Sequence, residues 1–189
     1  MFAISGALVA SRKQMDIVGF VLLGMVTGIG GGTLRDVLLG ANPVFWINEP
    51  AYLVACGAVS GIVFFTAHIP QSRYQFLLWF DALGLGIFAV VGAEKALLMG
   101  TGPTVAIAMG VITATCGGIL PWSGKPGRAQ PRNILTAALV GAASFVVGSA
   151  VGLHREVAVV VGLLIGFGLR GAAIQRGWSL PRYRSRPDQ

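Results

Sequence analysis

Long apolar blocks separated by short polar connections make up nearly the whole chain. Six blocks are full-length: Ile17 to about Leu39, Ala51–Ile69, Phe76–Leu98, Pro103–Leu120, Ile134–Leu153 and Val157–Ile174. An apolar fragment, "MFAISGALVA", precedes them at residues 1–10. The connections are brief and polar, among them "SRKQMD", "PQSRYQ", "MGTG" and "HRE". Each block has the length that a bilayer demands, about 20 residues for a spanning helix. The pattern predicts an all-α integral membrane protein with seven transmembrane helices, the first of them short. A ten-residue helix rises only about 15 Å against a hydrocarbon core of about 30 Å. The first helix is therefore expected to be truncated, with its start upstream.

Composition agrees with this reading. Of 189 residues, 54% are hydrophobic and 11% charged, and 21 charged side chains are too few to cover a soluble domain of this size. The net charge of +7 sits in short clusters between apolar blocks, with no basic face and no interleaved aromatics. Nucleic acid is excluded as a partner on that ground. Membrane proteins concentrate Lys and Arg on the cytoplasmic side of the bilayer. One set of alternate connections and the tail "QRGWSLPRYRSRPDQ" holds ten such residues; the other set holds Arg155, with Lys95 at the end of its helix. The amino end is then expected outside and the carboxyl end in the cytoplasm. Cys56 and Cys116 both fall inside apolar blocks, where a free thiol behaves as a small hydrophobe. The basic pair Arg12 and Lys13 follows the apolar amino end, the reverse of a signal peptide's order.

An internal repeat runs at a constant offset of 86. Phe2, Ala3, Gly6 and Ala7 return as Phe88, Ala89, Gly92 and Ala93. Gly24, Thr27, Gly31, Gly32 and Leu34 return as Gly110, Thr113, Gly117, Gly118 and Leu120. Ala51, Leu53 and Val54 return as Ala137, Leu139 and Val140. The register predicts a first three-helix unit over 1–69, a second over 76–153, a seventh helix at 157–174 and a basic tail at 175–189. Three crossings per unit invert the second copy. Inverted repeats of this kind place discontinuous helices near the bilayer midplane, where transport sites are built.

The candidate chemistry lies in "GIGGGTLRDV", residues 28–37. Gly30, Gly31 and Gly32, with Gly117 and Gly118 one repeat later, are expected to break helices 2 and 5. Irregular backbone survives at membrane depth only beside protein or water, and its freed carbonyls would suit a cation. Ionisable residues within a span mark a pathway, so Arg35 and Asp36 are candidate pore or gating groups. As neighbours on a helix they point about 100° apart, which makes a direct pair unnatural. Glu94 and Lys95 are read equally as functional groups or as snorkelling side chains. Asp81, His68 and Arg170 are read as interfacial or snorkelling. No catalytic set, metal-ligand spacing or phosphate loop is present, so neither an enzyme nor a cofactor is expected.

These motifs carry a resemblance. "GGGTLRDVLLG", "FAISGALVASRK", the echo "DALGLGIFAVVGAEKAL" and the three-plus-three-plus-one plan resemble the bacterial branch of the trimeric intracellular cation (TRIC) channels. That branch overlaps a group also labelled as glycine transporters or UPF0126-type membrane proteins, and the likeness covers roughly residues 2–174. It implies a homotrimer in a bacterial inner membrane, with a pore permeable to potassium or another monovalent cation in every subunit. By position, Gly30, Gly31, Gly32, Arg35 and Asp36 match the first family motif, and Gly117 and Gly118 the second. Glu94 and Lys95 are loose counterparts of a Lys-Glu pair in animal relatives, in reversed order. The chain departs from the family at "PWSGKPGRAQPRN", where Pro121 and Trp122 replace Arg and Asp. A secondary transporter for a small solute such as glycine is the alternative, and a structural or lipid-interacting scaffold a third reading.

Overall fold

The computed structural model describes residues 2–66, 74–119 and 132–176, all helical apart from short connections. Eight helices occur among the described residues: α1 Phe2–Arg12, α2 Ile17–Leu38, α3 Phe45–Asn48, α4 Ala51–Thr66, α5 Tyr74–Leu98, α6 Pro103–Ile119, α7 Arg132–Ala150 and α8 Arg155–Arg176. Seven of them correspond to the apolar blocks. The additional one, α3, spans four residues inside "ANPVFWINEP", too short for any hydrophobic period to announce it. His68 and the segment "PWSGKPGRAQP" lie outside the described residues.

Local chemistry explains the ends. Asp16 caps α2, its carboxylate accepting from the Gly19 N–H at 2.8 Å, as an N-cap aspartate does. After α2 the chain turns at Gly40, where φ is +69°. There the Ala41 N–H reaches the Asp36 carbonyl and the Gly40 N–H the Val37 carbonyl. The same pair of bonds recurs at Gly100, φ +78°, through Thr101 to Ala96 and Gly100 to Leu97. Both are Schellman turns, which need a left-handed residue that only glycine supplies cheaply.

Two groups of three helices pack internally in the same pairings. α1, α2 and α4 contact one another, as do α5, α6 and α7, and α2 meets α6 between the groups. α8 lies on α5 and α7. The buried core is built largely of alanine, including Ala89, Ala93, Ala106, Ala114, Ala138 and Ala142. Small residues let membrane helices approach closely, where dispersion contacts must do what hydrophobic burial does in water. Large apolar side chains point outward instead, among them Val18, Leu22 and Val37 of α2 and Val160 and Leu164 of α8. α2 and α8 are each long and apolar enough to cross a membrane.

The expected breaks are absent. α2 is helical without interruption across Gly30, Gly31 and Gly32, and α6 continues through Gly117 and Gly118 to Ile119. Tandem glycine has a different use in α2. A Cβ on Gly31 would overlap the Thr113 carbonyl oxygen of α6, and one on Gly32 would come within 2.7 Å of the Phe45 ring. Gly30 faces open space. At Gly31 the missing side chain brings two backbones together, so close approach and not broken hydrogen bonding accounts for it.

Candidate functional site

Asp36 is the centre of the site. It lies near the carboxyl end of α2 and is completely buried. A carboxylate there faces the negative end of the helix and has lost its water, so it persists as an anion only with partners. Three are present. The Arg35 guanidinium donates to Oδ1 through Nε at 2.8 Å and Nη2 lies 2.7 Å from the same oxygen. The Lys95 ammonium, on α5, reaches both carboxylate oxygens at 2.8 Å. The Phe45 backbone N–H, at the start of α3, donates to Oδ2 at 3.0 Å. The direct Arg35–Asp36 pair, possible but not natural for neighbours on a helix, is thus formed. Arginine's long stem folds the guanidinium back beside its neighbour, and burial makes that pairing necessary.

α3 roofs this cluster. The Phe45 ring sits 6.0 Å from the Arg35 guanidinium carbon, within the range of a cation–π contact. The Trp46 indole N–H donates to the Thr33 hydroxyl at 3.1 Å, and that hydroxyl donates to the Ile29 carbonyl at 2.8 Å. The Arg35 side chain is 6% exposed and that of Lys95 31%. Lys95 is therefore the most exposed member of the cluster. One carboxylate between two cations leaves the cluster with a formal charge of +1.

Glu94, adjacent to Lys95, turns to another helix and pairs with Arg155 at the start of α8. At the far end of the same two helices, Arg170 of α8 lies 3.9 Å from Asp81 of α5, with side chains 3% and 15% exposed. Arg170 and Asp81, read from the sequence as snorkelling and interfacial, are paired with each other. A buried arginine needs a counter-charge nearby, and Asp81 supplies one. The long-range pairs Asp36–Lys95 and Glu94–Arg155 and the shorter-range use of Phe45 have no signature in a linear pattern.

Two threonines related by the offset of 86 occupy equivalent settings. The Thr27 hydroxyl donates to the Leu23 carbonyl at 2.7 Å, and the Thr113 hydroxyl to the Met109 carbonyl at 2.6 Å. A Cβ on Gly6 would come within 2.5 Å of the Thr27 hydroxyl oxygen, and one on Gly92 within 2.7 Å of that of Thr113. Both threonines are 1% exposed. At this level α1 packs on α2, and α5 on α6, through a glycine set against a buried threonine.

Known proteins bear the same plan. The family model described as "Glycine transporter" matches residues 1–68 and 78–121. The chain is 33% identical to the UPF0126 inner membrane protein YadS of Escherichia coli K12, over 97% of this chain and 91% of that protein. It is 35% identical to a UPF0126 membrane protein of Vibrio cholerae, over 97% of this chain and 78% of that one. Among solved structures, the TRIC trimeric intracellular cation channel orthologue from Rhodobacter sphaeroides is 57% identical and superposes with a TM-score of 0.86, covering 94% of this chain and 93% of that one. A second structure, solved to explain conductance through TRIC cation channels, is 32% identical with a TM-score of 0.88, covering 99% and 94%. On the strength of these matches and of the shared helical plan, the chain belongs to the TRIC trimeric intracellular cation channel family and is a relative of the UPF0126 membrane proteins.

Proposed function

We propose that the protein is a cation channel of a bacterial inner membrane, acting as a homotrimer with a potassium-permeable path in each subunit. The observation that carries this reading is the likeness to the R. sphaeroides TRIC orthologue, 57% identical over nearly the whole of both chains. The basic tail and the bias of Lys and Arg between connections support an external amino end and a cytoplasmic carboxyl end. Residues 1–69 and 76–153 act as two three-helix units of opposite orientation, with 157–174 as a seventh helix. The matching internal pairings of α1, α2, α4 and of α5, α6, α7 support that division.

The path runs between α2 and α6, and this conformation is closed. Gly31 lies against the Thr113 carbonyl with no room for a methyl group, so no hydrated ion passes that contact. Arg35, Asp36 and Lys95 form the gate. Lys95 crosses from one unit to the other to reach Asp36 and so fastens α2 to α5. The surplus positive charge of the cluster adds a barrier to cations, because charge in a low-dielectric interior is weakly screened. Opening separates α2 from α6 and releases Lys95 from Asp36, after which the carboxylate and the negative end of the α2 dipole favour a cation.

The alternative is a carrier of a small solute, favoured by the family description as glycine transporters. Purified protein in planar bilayers with potassium chloride on both sides separates the two. A channel gives unitary current steps. Saturable, gradient-coupled glycine uptake into liposomes, with no unitary steps, contradicts the channel reading.

A further inference from the structure

We infer that Arg155, at the start of α8, is a positioning residue for the gate: through Glu94 it holds the end of α5 in the rotation that seats Lys95 on Asp36. The inference rests on the proposed gate. It extends to a helix that lies outside both three-helix units and to a residue no motif singles out.

α8 is fixed along α5 at four heights. Arg155 pairs with Glu94 at one end. In the middle, a Cβ on Gly86 would lie 3.3 Å from the Leu163 carbonyl and 3.5 Å from the Phe167 nitrogen. Toward the other end Trp79 packs on Phe167, with ring centroids 5.7 Å apart, and a Cβ on Gly171 would lie 2.9 Å from Trp79. Arg170 faces Asp81 there. The order is antiparallel, and the spacings agree. Asp81 to Glu94 and Arg155 to Arg170 span 13 and 15 residues, about 20 Å and 23 Å of helix.

The consequence comes from adjacency. Glu94 and Lys95 are consecutive on α5, so their side chains leave the helix about 100° apart and engage α8 and α2 separately. For Lys95 to leave Asp36 by rotation of α5, Glu94 must swing by the same angle. Arg155 opposes that swing. The Arg155 side chain is 74% exposed while that of Glu94 is 15% exposed, so the restraint is anchored at an exposed helix end and applied to a largely buried side chain. Glu156 also lies in the first turn of α8; as a carboxylate it cannot take over the hold on Glu94. The physical warrant for coupling is a shared moving element, here the last turns of α5.

Site-resolved acylation of lysine amines in the intact, detergent-solubilised protein tests this without relying on ion conduction. Lys95 in the wild type is expected to react slowly. In Arg155→Gln its rate rises about two- to fivefold, the range that an exposed ion pair contributes, while the rate at Lys13 is unchanged. Exchanging the charges, Glu94→Arg with Arg155→Glu, returns Lys95 to the wild-type rate, and Arg155→Lys stays close to it. An unchanged Lys95 rate in Arg155→Gln overturns the inference, as does failure of the exchange to restore it in a protein that remains folded by melting temperature. In planar bilayers, Arg155→Gln raises open probability, and combining it with Lys95→Met adds no further rise. Additive effects contradict the inference, whereas absence of unitary currents in the wild type contradicts the channel reading and leaves the labelling result standing.

Discussion

Phe2 stacks on Phe88, with ring centroids 4.8 Å apart and ring planes 25° from parallel, and the two positions are separated by the repeat interval of 86. In a two-fold arrangement a residue touches its own counterpart only beside the axis relating the copies. Under the proposed inverted repeat, the stack would set that axis between α1 and the second half of α5. Gly6 against Thr27 and Gly92 against Thr113 repeat one contact on either side of it.

Because the two rings share one contact, their removal should not be additive. Phe2→Ala and Phe88→Ala each lower the melting temperature in detergent. The double variant falls short of the sum by about 0.5–1.5 kcal/mol, the coupling of an aromatic pair. A double-mutant cycle by thermal melting measures it; strict additivity would remove the stack from the account.

The three adjacent glycines of α2 are predicted to behave differently from one another. Gly30→Ala is neutral or stabilising by up to about 1 kcal/mol, since alanine is the better helix former and the site is open. Gly31→Ala loses stability, because its methyl group meets a backbone carbonyl that cannot rotate away. Gly32→Ala lies between, since the Phe45 ring it meets can shift. Melting temperatures of the three variants give the order directly, and a Gly31→Ala protein as stable as the wild type refutes the close contact with α6.

Much of this architecture was legible from hydropathy. The apolar block beginning at Ile17 ends one residue from the observed end of α2, and that beginning at Pro103 one residue from the end of α6. Hydropathy works here because the backbone in lipid must bond within its own helix, so apolar length and helix length coincide. The same rule explains the false expectation of a break. Glycine costs a helix only about 1 kcal/mol per residue, and neighbours that pack on the vacated surface offset it, as Thr113 does at Gly31. The Arg35–Asp36–Lys95 cluster was legible only as a list of charges. Asp36 has Trp122 as its repeat counterpart and Lys95 has Val9, so their pairing belongs to neither copy and no periodicity encodes it.

Charge removal should rank by what remains buried. Asp36→Asn leaves two cations without a counter-ion and costs roughly 3–5 kcal/mol, as for breaking a buried pair. Lys95→Met costs less, because Asp36 keeps Arg35 and the Phe45 N–H. Melting of the purified variants checks the ranking, and a Lys95→Met protein less stable than Asp36→Asn reverses it.

Arg35 should also sense the membrane potential if it moves as the gate opens. One charge crossing the full field is worth about 2.3 kcal/mol per 100 mV. Arg35→Gln is then expected to make open probability depend less steeply on voltage. An unchanged slope in bilayer recordings takes that role away from it.

The most direct test compares unitary potassium currents of the wild type and Lys95→Met in planar bilayers, with both proteins first matched for folding by melting and gel filtration. If the Asp36–Lys95 bond fastens the two units shut, Lys95→Met opens more often at every voltage with its single-channel conductance unchanged. An open probability equal to or below that of the wild type contradicts the claim that this bond holds the path closed.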